Sequence, residues 1–480
     1  MRSFVAACLE AAASAGATYA DVRIVDTRSE SVSVRTGRVE EVSSSESFGF
    51  GVRVMADGAW GFAAASEVTE TQAARVAGSA VAIARAGARV SGATVSLADL
   101  DPAQGTWSGP CERDPFAVPL ERKLELLAAA DAALRTQQAV KVSHAHIDFI
   151  RVDKVFGSSL GTYVEQTFHE SGGGIVAYAV GDEILPRSYP NSHGGQHVQG
   201  GWEAIEAMDL VGNAERVSEE AAALLSAKSC PSTTTTVIIG ANQLGLQVHE
   251  SIGHPTELDR VLGEEAAFAG TSFVTLADLG SLEYGSKIVN VTADSTVAGS
   301  LGSFGWDDEG VPAQRDDIIR DGVLAGFLTS RESAVAIGRR SNGCMRAEGW
   351  NRIPIVRMTT VSLEPGEAGT LEDLIADTDD GVYIETNNVW SIDDRRLNFQ
   401  FATEIGWEIR NGSLGAMIKS PNYTGITPEF WNSCDAICGP SEWHVWGLPN
   451  CGKGEPMQTA HVAHGASPAR FRNVRIGVGG

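Results

Sequence analysis

The chain has 480 residues, 43% of them hydrophobic and 20% charged, with a formal net charge of −24. That length and apolar content can bury at least two cores, so two large lobes are expected, while the acidity repels phosphate backbones and anionic lipid and argues against nucleic-acid or membrane partners. No run of eighteen apolar residues exists, Phe4–Leu9 is too short for a signal h-region, and seven scattered cysteines make no secreted disulfide framework, so the expectation is a soluble, cytoplasmic protein.

The first lobe opens with an Ala-rich amphipathic helix over about 3–15, with Val5, Cys8, Leu9 and Ala12 on one face. Period-two runs follow at 21–27, 31–37, 39–47, 50–56 and 60–66, and Asp57-Gly58 signals a hairpin. A helix over about 68–87 and a Pro- and Gly-containing connection lead to a second helix over about 118–137, which carries Leu120, Leu124, Leu127 and Ala128. Alternating runs resume at 144–152, 161–171 and 173–181. Helix-then-meander thus occurs twice, which admits an internal duplication. His144, His146 and His169 fall in these strands and read as polar-face or core histidines. Residues 202–227 form a helix or a pair of helices, and SAKSCPS (226–232) is the best boundary, dividing the chain into lobes 1–228 and 229–480.

The second lobe begins with a β-branched strand, Ser232 to Ile239, and a helix on which Leu244, Val248 and Ile252 recur at helical spacing. That helix ends in His249-Glu250-Ser251-Ile252-Gly253-His254. Two neutral imidazoles can hold zinc while a neighbouring Glu, not itself a ligand, takes a proton from the activated water. The familiar spacing places the histidines four apart, on one helical face. Here they are five apart, and an α-helix would rotate the second about 140° from the first. Either a π turn realigns them, or Pro255 ends the helix at Gly253 and His254 swings in from the exit turn; the second solution is preferred.

A catalytic zinc usually takes three protein ligands. Glu257, Asp259, Glu264 and Glu265 read as a solvated helix face. The segment 450–456 is a better source, because Cys451 lies in a Gly-rich turn with Lys453 beside it to favour the thiolate. A buried structural cysteine is the plainer alternative. His444, His461 or His464 are further candidates for ligand or proton donor, with Trp443 and Trp446 lining a cleft or simply packing. Asp307 and Asp308, in an acidic Trp-Asp-Asp-Glu-Gly loop, suit a solvated turn or a rim that captures a peptide's amino terminus. Cys434 and Cys438 lack the second pair that a structural zinc site needs. Strand runs at 287–295, 353–362, 381–388, 398–410 and 414–420, with hairpin signals at Asp321-Gly322 and Asn411-Gly412, predict a barrel-like or sandwiched antiparallel assembly. The fold class is α+β: an N-terminal antiparallel sheet with helices, and a strand-rich C-terminal lobe carrying the metal helix.

On the segments HESIGHPTELDR (249–260), LGSFGWDDEGVPAQ (301–314), IPIVRMTTVSLEPG (353–366), NCGKGEP (450–456) and the Gly-rich ESFGFGVRV stretch, the chain resembles the TldD/PmbA metalloproteases, also described as modulators of DNA gyrase and of microcin processing. The resemblance implies a zinc peptidase with His249, His254 and Cys451 as ligands and Glu250 as general base. PmbA/TldE-type members lack the HExxxH residues, so this chain is similar to the TldD type. It further implies a dimer, commonly with a PmbA/TldE-type partner, acting on short or unfolded peptides. Two segments depart from the family pattern: Asp394-Arg395-Arg396-Leu397-Asn398-Phe399 stands where a T-G-x-F turn is usual, and Glu455 follows the CGKG. Neither touches the expected ligands; both bear on substrate. A dedicated tailoring hydrolase of a leader peptide or natural-product intermediate, and a non-catalytic modulator, are the competing functions.

Overall fold

The computed structural model describes residues 1–90, 94–192, 194–268 and 270–477. Five alternating runs of the first lobe merge into three strands, because Tyr19–Arg35 and Arg38–Ala56 each continue through two of them. With Ala59–Ala65, Val140–Ser158, Tyr163–Val180 and Gln104–Ser108 they form one sheet, antiparallel except for the last pair, in the order Ala59–Ala65, Arg38–Ala56, Tyr19–Arg35, Val140–Ser158, Tyr163–Val180, Gln104–Ser108. Asp57 and Gly58 both have positive φ, 53° and 81°, the type I′ geometry that suits the right-handed twist of the flanking strands. Arg2–Ala15 and Glu70–Ala88 cover one end of one sheet face, against Val22, Ile24, Phe50 and Val52. Leu120–Leu134 and Leu210–Leu224 cover the other end, against Val32, Val34, Ala145 and Ile147. By strict alternation Val25, Thr27, Ile150 and Val152 point from the opposite face, toward the C-terminal residues.

The C-terminal lobe holds a closed ring of five strands. Asp380–Ile392 runs parallel to Thr233–Ile239, which pairs with Ala469–Ile476, then Asn422–Ile426, then Asn398–Arg410, and the last returns to Asp380–Ile392. Closure removes the sheet edges, and the expectation of a barrel-like α+β lobe is borne out. The runs at 287–295 and 353–362 contribute only short strands, Val291–Asp294, Ile355–Val356 and Val361–Leu363. A long hairpin, His444–Lys453 with Gln458–Ala466, lies outside the ring and was not expected from the sequence. Helix Ala241–Val248 leaves the strand Thr233–Ile239 and buries Leu244 and Val248 in the lobe's core.

The lobes are joined by buried charge. Asp308 pairs with Lys154 at 2.8 Å and lies 3.6 Å from Arg23; Glu309 lies 3.2 Å from Arg53; and Arg187 meets Glu385 and Glu404. Asp307 and Asp308 are 2% and 1% exposed, which overturns the solvated-turn reading. The amino-terminus rim fares no better. Asp307 accepts from the backbone N–H groups of Glu309, Val311 and Met345, and Asp308 is consumed by Lys154 and the N–H of Ala347. Among the described residues no helix is long and apolar enough to cross a membrane.

Candidate metal centre

The five-residue histidine spacing is accommodated by a π turn. His249–Gly253 is π-helical, the N–H of His254 bonds to the carbonyl of His249, and His254 itself stays in the right-handed helical region at φ −59°, ψ −44°. The preferred solution, a swing at Pro255, is therefore wrong. Pro255 does disfavour a helical residue before it, but side-chain bonds hold the turn: the Tyr284 hydroxyl, from a distant segment, donates to the carbonyl of Ser251, and the Thr256 hydroxyl, from the next turn, donates to those of Ile252 and Gly253. Those bonds satisfy the carbonyls that an irregular helix end would leave bare in the core. Gly253 is needed as well, since a Cβ there would sit 2.3 Å from the Met358 sulfur.

The turn brings the two rings together, centroids 4.6 Å apart. Cys451, at the end of the strand His444–Lys453 and not in the Gly-rich turn itself, places its sulfur 3.7 Å from His254 Nε2. One ligand atom from each of His249, His254 and Cys451 lies within 4.8 Å of the others. A tetrahedral ion with bonds of about 2.0–2.3 Å separates its ligands by roughly 3.4–3.8 Å, so the trio is within about 1 Å of closing on one.

The atoms that face away from this point are all spoken for. His254 Nδ1 lies 2.9 Å from Glu257 Oε2, a carboxylate that can only accept, so the proton sits on Nδ1 and the Nε2 lone pair is left toward the sulfur. His464 Nδ1 must donate to the carbonyl of Val361 at 2.8 Å, which makes His464 Nε2 an acceptor. His249 Nδ1 donates to it at 2.7 Å and keeps its own Nε2 lone pair free. Burial pushes the His249 imidazole down to about 4 and His464 well down too, so both are neutral near pH 7. For Cys451 burial raises the thiol, but the Arg357 guanidinium and His254 outweigh it and the net shift is downward. Neutral imidazoles, a thiolate-prone sulfur and carboxylate or imidazole support behind each histidine are what a zinc-type ion requires.

Sequence reasoning misplaced several supports. Glu257, Asp259 and Glu265 are buried, not solvated; only Glu264 of that group is exposed. Lys453 does not serve the thiolate. Its fully buried ammonium lies 2.8 Å from both Asp259 oxygens, 2.8 Å from the carbonyl of Val356 and 3.3 Å from Glu257. Lys453→Met would strand those carboxylates in the core and is expected to cost about 3–5 kcal/mol, read as a lower midpoint in urea unfolding; an unchanged midpoint would refute the network's role. His444 is exposed on the hairpin and outside the cluster, while His461 pairs with Glu170 at 2.5 Å. Only His464 of the alternatives reaches the centre, behind His249. Glu257 was detectable as a carboxylate one turn beyond a candidate ligand; His464 was expected as a ligand or proton donor and instead stands behind His249, and Arg357 had no local signal.

Glu250 is 5% exposed and belongs to none of these ligand contacts. Trp390 Nε1 donates to its Oε1 and Arg396 Nη1 to its Oε2, both at 2.8 Å, which fixes the plane of the carboxylate. Arg396 sits at φ 62° in the turn that departs from the family pattern, so that departure bears directly on the residue beside the first histidine.

Models of the PmbA/TldA metallopeptidase family match in three parts: domain 1 at residues 20–84, the central domain at 113–228 and the C-terminal domain at 232–477. A metalloprotease of Methanocaldococcus jannaschii is 28% identical over 91% of this chain and 92% of its own. A protein of Saccharolobus solfataricus named as a zinc metalloprotease and TldD homolog is 23% identical over 50% of this chain and 51% of its own. Among solved structures, a Thermotoga maritima protein described as a candidate modulator of a DNA gyrase covers 99% of this chain and 100% of its own, at TM-score 0.78 and 16% identity. TldE from Thermococcus kodakarensis covers 98% and 99%, at TM-score 0.72 and 14% identity. These two likenesses concern the fold.

Proposed function

Since this chain belongs to the PmbA/TldA metallopeptidase family and is a metalloprotease, we propose that it is a zinc-dependent peptidase acting on short or unfolded peptides, with His249, His254 and Cys451 as the ligands and Glu250 as the general base. The observation that carries this reading is the convergence of two imidazole lone pairs and one low-shifted thiol on a single point, one residue from a carboxylate that takes no part in the cluster. Zinc held there supplies a Lewis acid that polarises the scissile carbonyl and brings the pKa of a water toward about 7.

The chain's own residues do the rest. Glu250 accepts the proton of the attacking water and delivers it to the departing amine, a shuttle that needs one carboxylate in one place through both steps. Trp390 and Arg396 keep it there. Glu257 and His464 hold the two imidazoles in the tautomers that present Nε2. The ligands are 2–4% exposed, so a folded protein surface cannot approach them, which favours short or unfolded substrates. The Saccharolobus solfataricus relative, named as a zinc metalloprotease, supports the choice of metal.

The test is peptide cleavage followed by mass spectrometry. Zinc-loaded protein is expected to cut short unstructured peptides, to stop after dialysis against a chelator and to resume on adding zinc. Intact peptides with one zinc bound per chain would refute the reading.

A further inference from the structure

A cavity of about 350 Å³ lies between the lobes; His249, Glu250, His254 and Cys451 are not among its lining residues, and Ala460 and Arg357 connect it to the metal centre. Its floor is the helix-free face of the N-terminal sheet, with Ile150, Val152 and Phe168, and its far wall includes Phe304 and Trp306. The strand Gln458–Ala466 closes it, and Ala460 of that strand is the cross-strand partner of Cys451. Arg357 spans the two places: it lines the cavity and donates to the carbonyls of Cys451 and Gln458.

The polar groups of the cavity are unbalanced. Every deep carboxylate has been taken: Glu170 by His461, Asp307 by three backbone N–H groups, and Asp308 by Lys154 and the N–H of Ala347. Glu348 stands near Arg352, 3.8 Å away. The two guanidiniums are not matched in the same way. Arg346 is half-buried and donates from Nη1 to the carbonyl of Met358 at 3.2 Å; Glu170 and Asp308 attract it from farther off, but among the described residues no carboxylate is in ion-pair contact with it. Arg357 is 1% exposed and its buried Nε has no hydrogen-bond partner. Burying a planar fork of donors against neutral carbonyls is costly unless an anion completes it.

Resting on the peptidase reading of the adjacent centre, we propose that this cavity binds the C-terminal end of the peptide substrate, its free carboxylate on Arg346 and its last side chain, apolar or aromatic, against Phe168, Phe304 and Trp306. The enzyme then removes short pieces from carboxyl ends, and the polarity is the reverse of the amino-terminus capture suggested by the acidic loop.

The probe is an acetylated hexapeptide of alanines ending in phenylalanine, made as the free acid and as the carboxamide. Binding to zinc-loaded Glu250→Gln protein is measured by calorimetry, and cleavage is measured with the unaltered protein. The acid is expected to bind about 10- to 100-fold more tightly than the amide, as for loss of a charge-assisted hydrogen-bond pair. Arg346→Met in the Glu250→Gln background should bring that ratio to about 1, and Arg346→Lys should leave an intermediate value because the planar fork is lost. Equal binding of acid and amide with Arg346 intact would overturn the proposal, with no substitution at Arg346 that could unfold the chain. So would an undiminished ratio in Arg346→Met. If neither peptide is cut while the acid still binds better, the peptidase reading fails and the subsite stands.

Discussion

Glu250→Gln is expected to lower kcat for peptide cleavage by about 10²–10⁴-fold, the range that a positioned general base contributes, while zinc content stays at the level of the unaltered protein. The amide has the volume of the acid, so the turn His249–Gly253 and its packing survive. It cannot take up a proton, and its NH₂ group would face one of the two donors, Trp390 Nε1 or Arg396 Nη1, that the carboxylate accepts. Glu250 lies outside the ligand cluster, so the metal should not notice the change. Single-turnover cleavage with parallel metal analysis gives both numbers. Turnover within about tenfold of the unaltered protein would assign the proton to another group.

Cys451→Ala is expected to act on the other axis, losing metal and activity together. Groups that merely support a ligand are worth about 10–100-fold in metal affinity, so removal of a ligand atom should weaken zinc binding by more than about 100-fold. The side chain is 4% exposed, with its thiol held down by Arg357 and His254, and no other cysteine or acid joins the cluster among the described residues. Competition against a chromogenic chelator reads the affinity. Affinity within about tenfold would mean that the sulfur is a bystander. The pair of variants therefore separates two failures: chemistry lost with metal kept, and metal lost.

Much of the centre was legible because its chemistry is compact in sequence. Six residues held two imidazoles and a carboxylate, and the late Cys451 stood out in a Gly-rich setting. The hairpin signals were equally local: Asp321, Asn411 and the glycines after them all adopt positive φ, as Asp57-Gly58 does. What failed was what depends on distant partners. The choice between a π turn and a swing at Pro255 rests in part on Tyr284, 33 residues from Ser251, and no pattern near His254 announces that contact. Glu257 and Asp259 look like surface charge until Lys453, 194 residues from Asp259, is folded against them. The arginines of residues 394–399 read as a change of substrate, yet the positive φ at Arg396 aims that side chain at Glu250. The hairpin His444–Ala466 was missed because its Gly, Pro and Asn content breaks the alternation that marks a strand.

The central claim is a single ion held by two nitrogens from a π turn and one sulfur from a hairpin. Zinc K-edge X-ray absorption on the zinc-loaded protein tests it directly. The account predicts one sulfur scatterer at about 2.3 Å and two imidazole nitrogens at about 2.0–2.1 Å; a first shell of nitrogen and oxygen alone, with no sulfur, would contradict it.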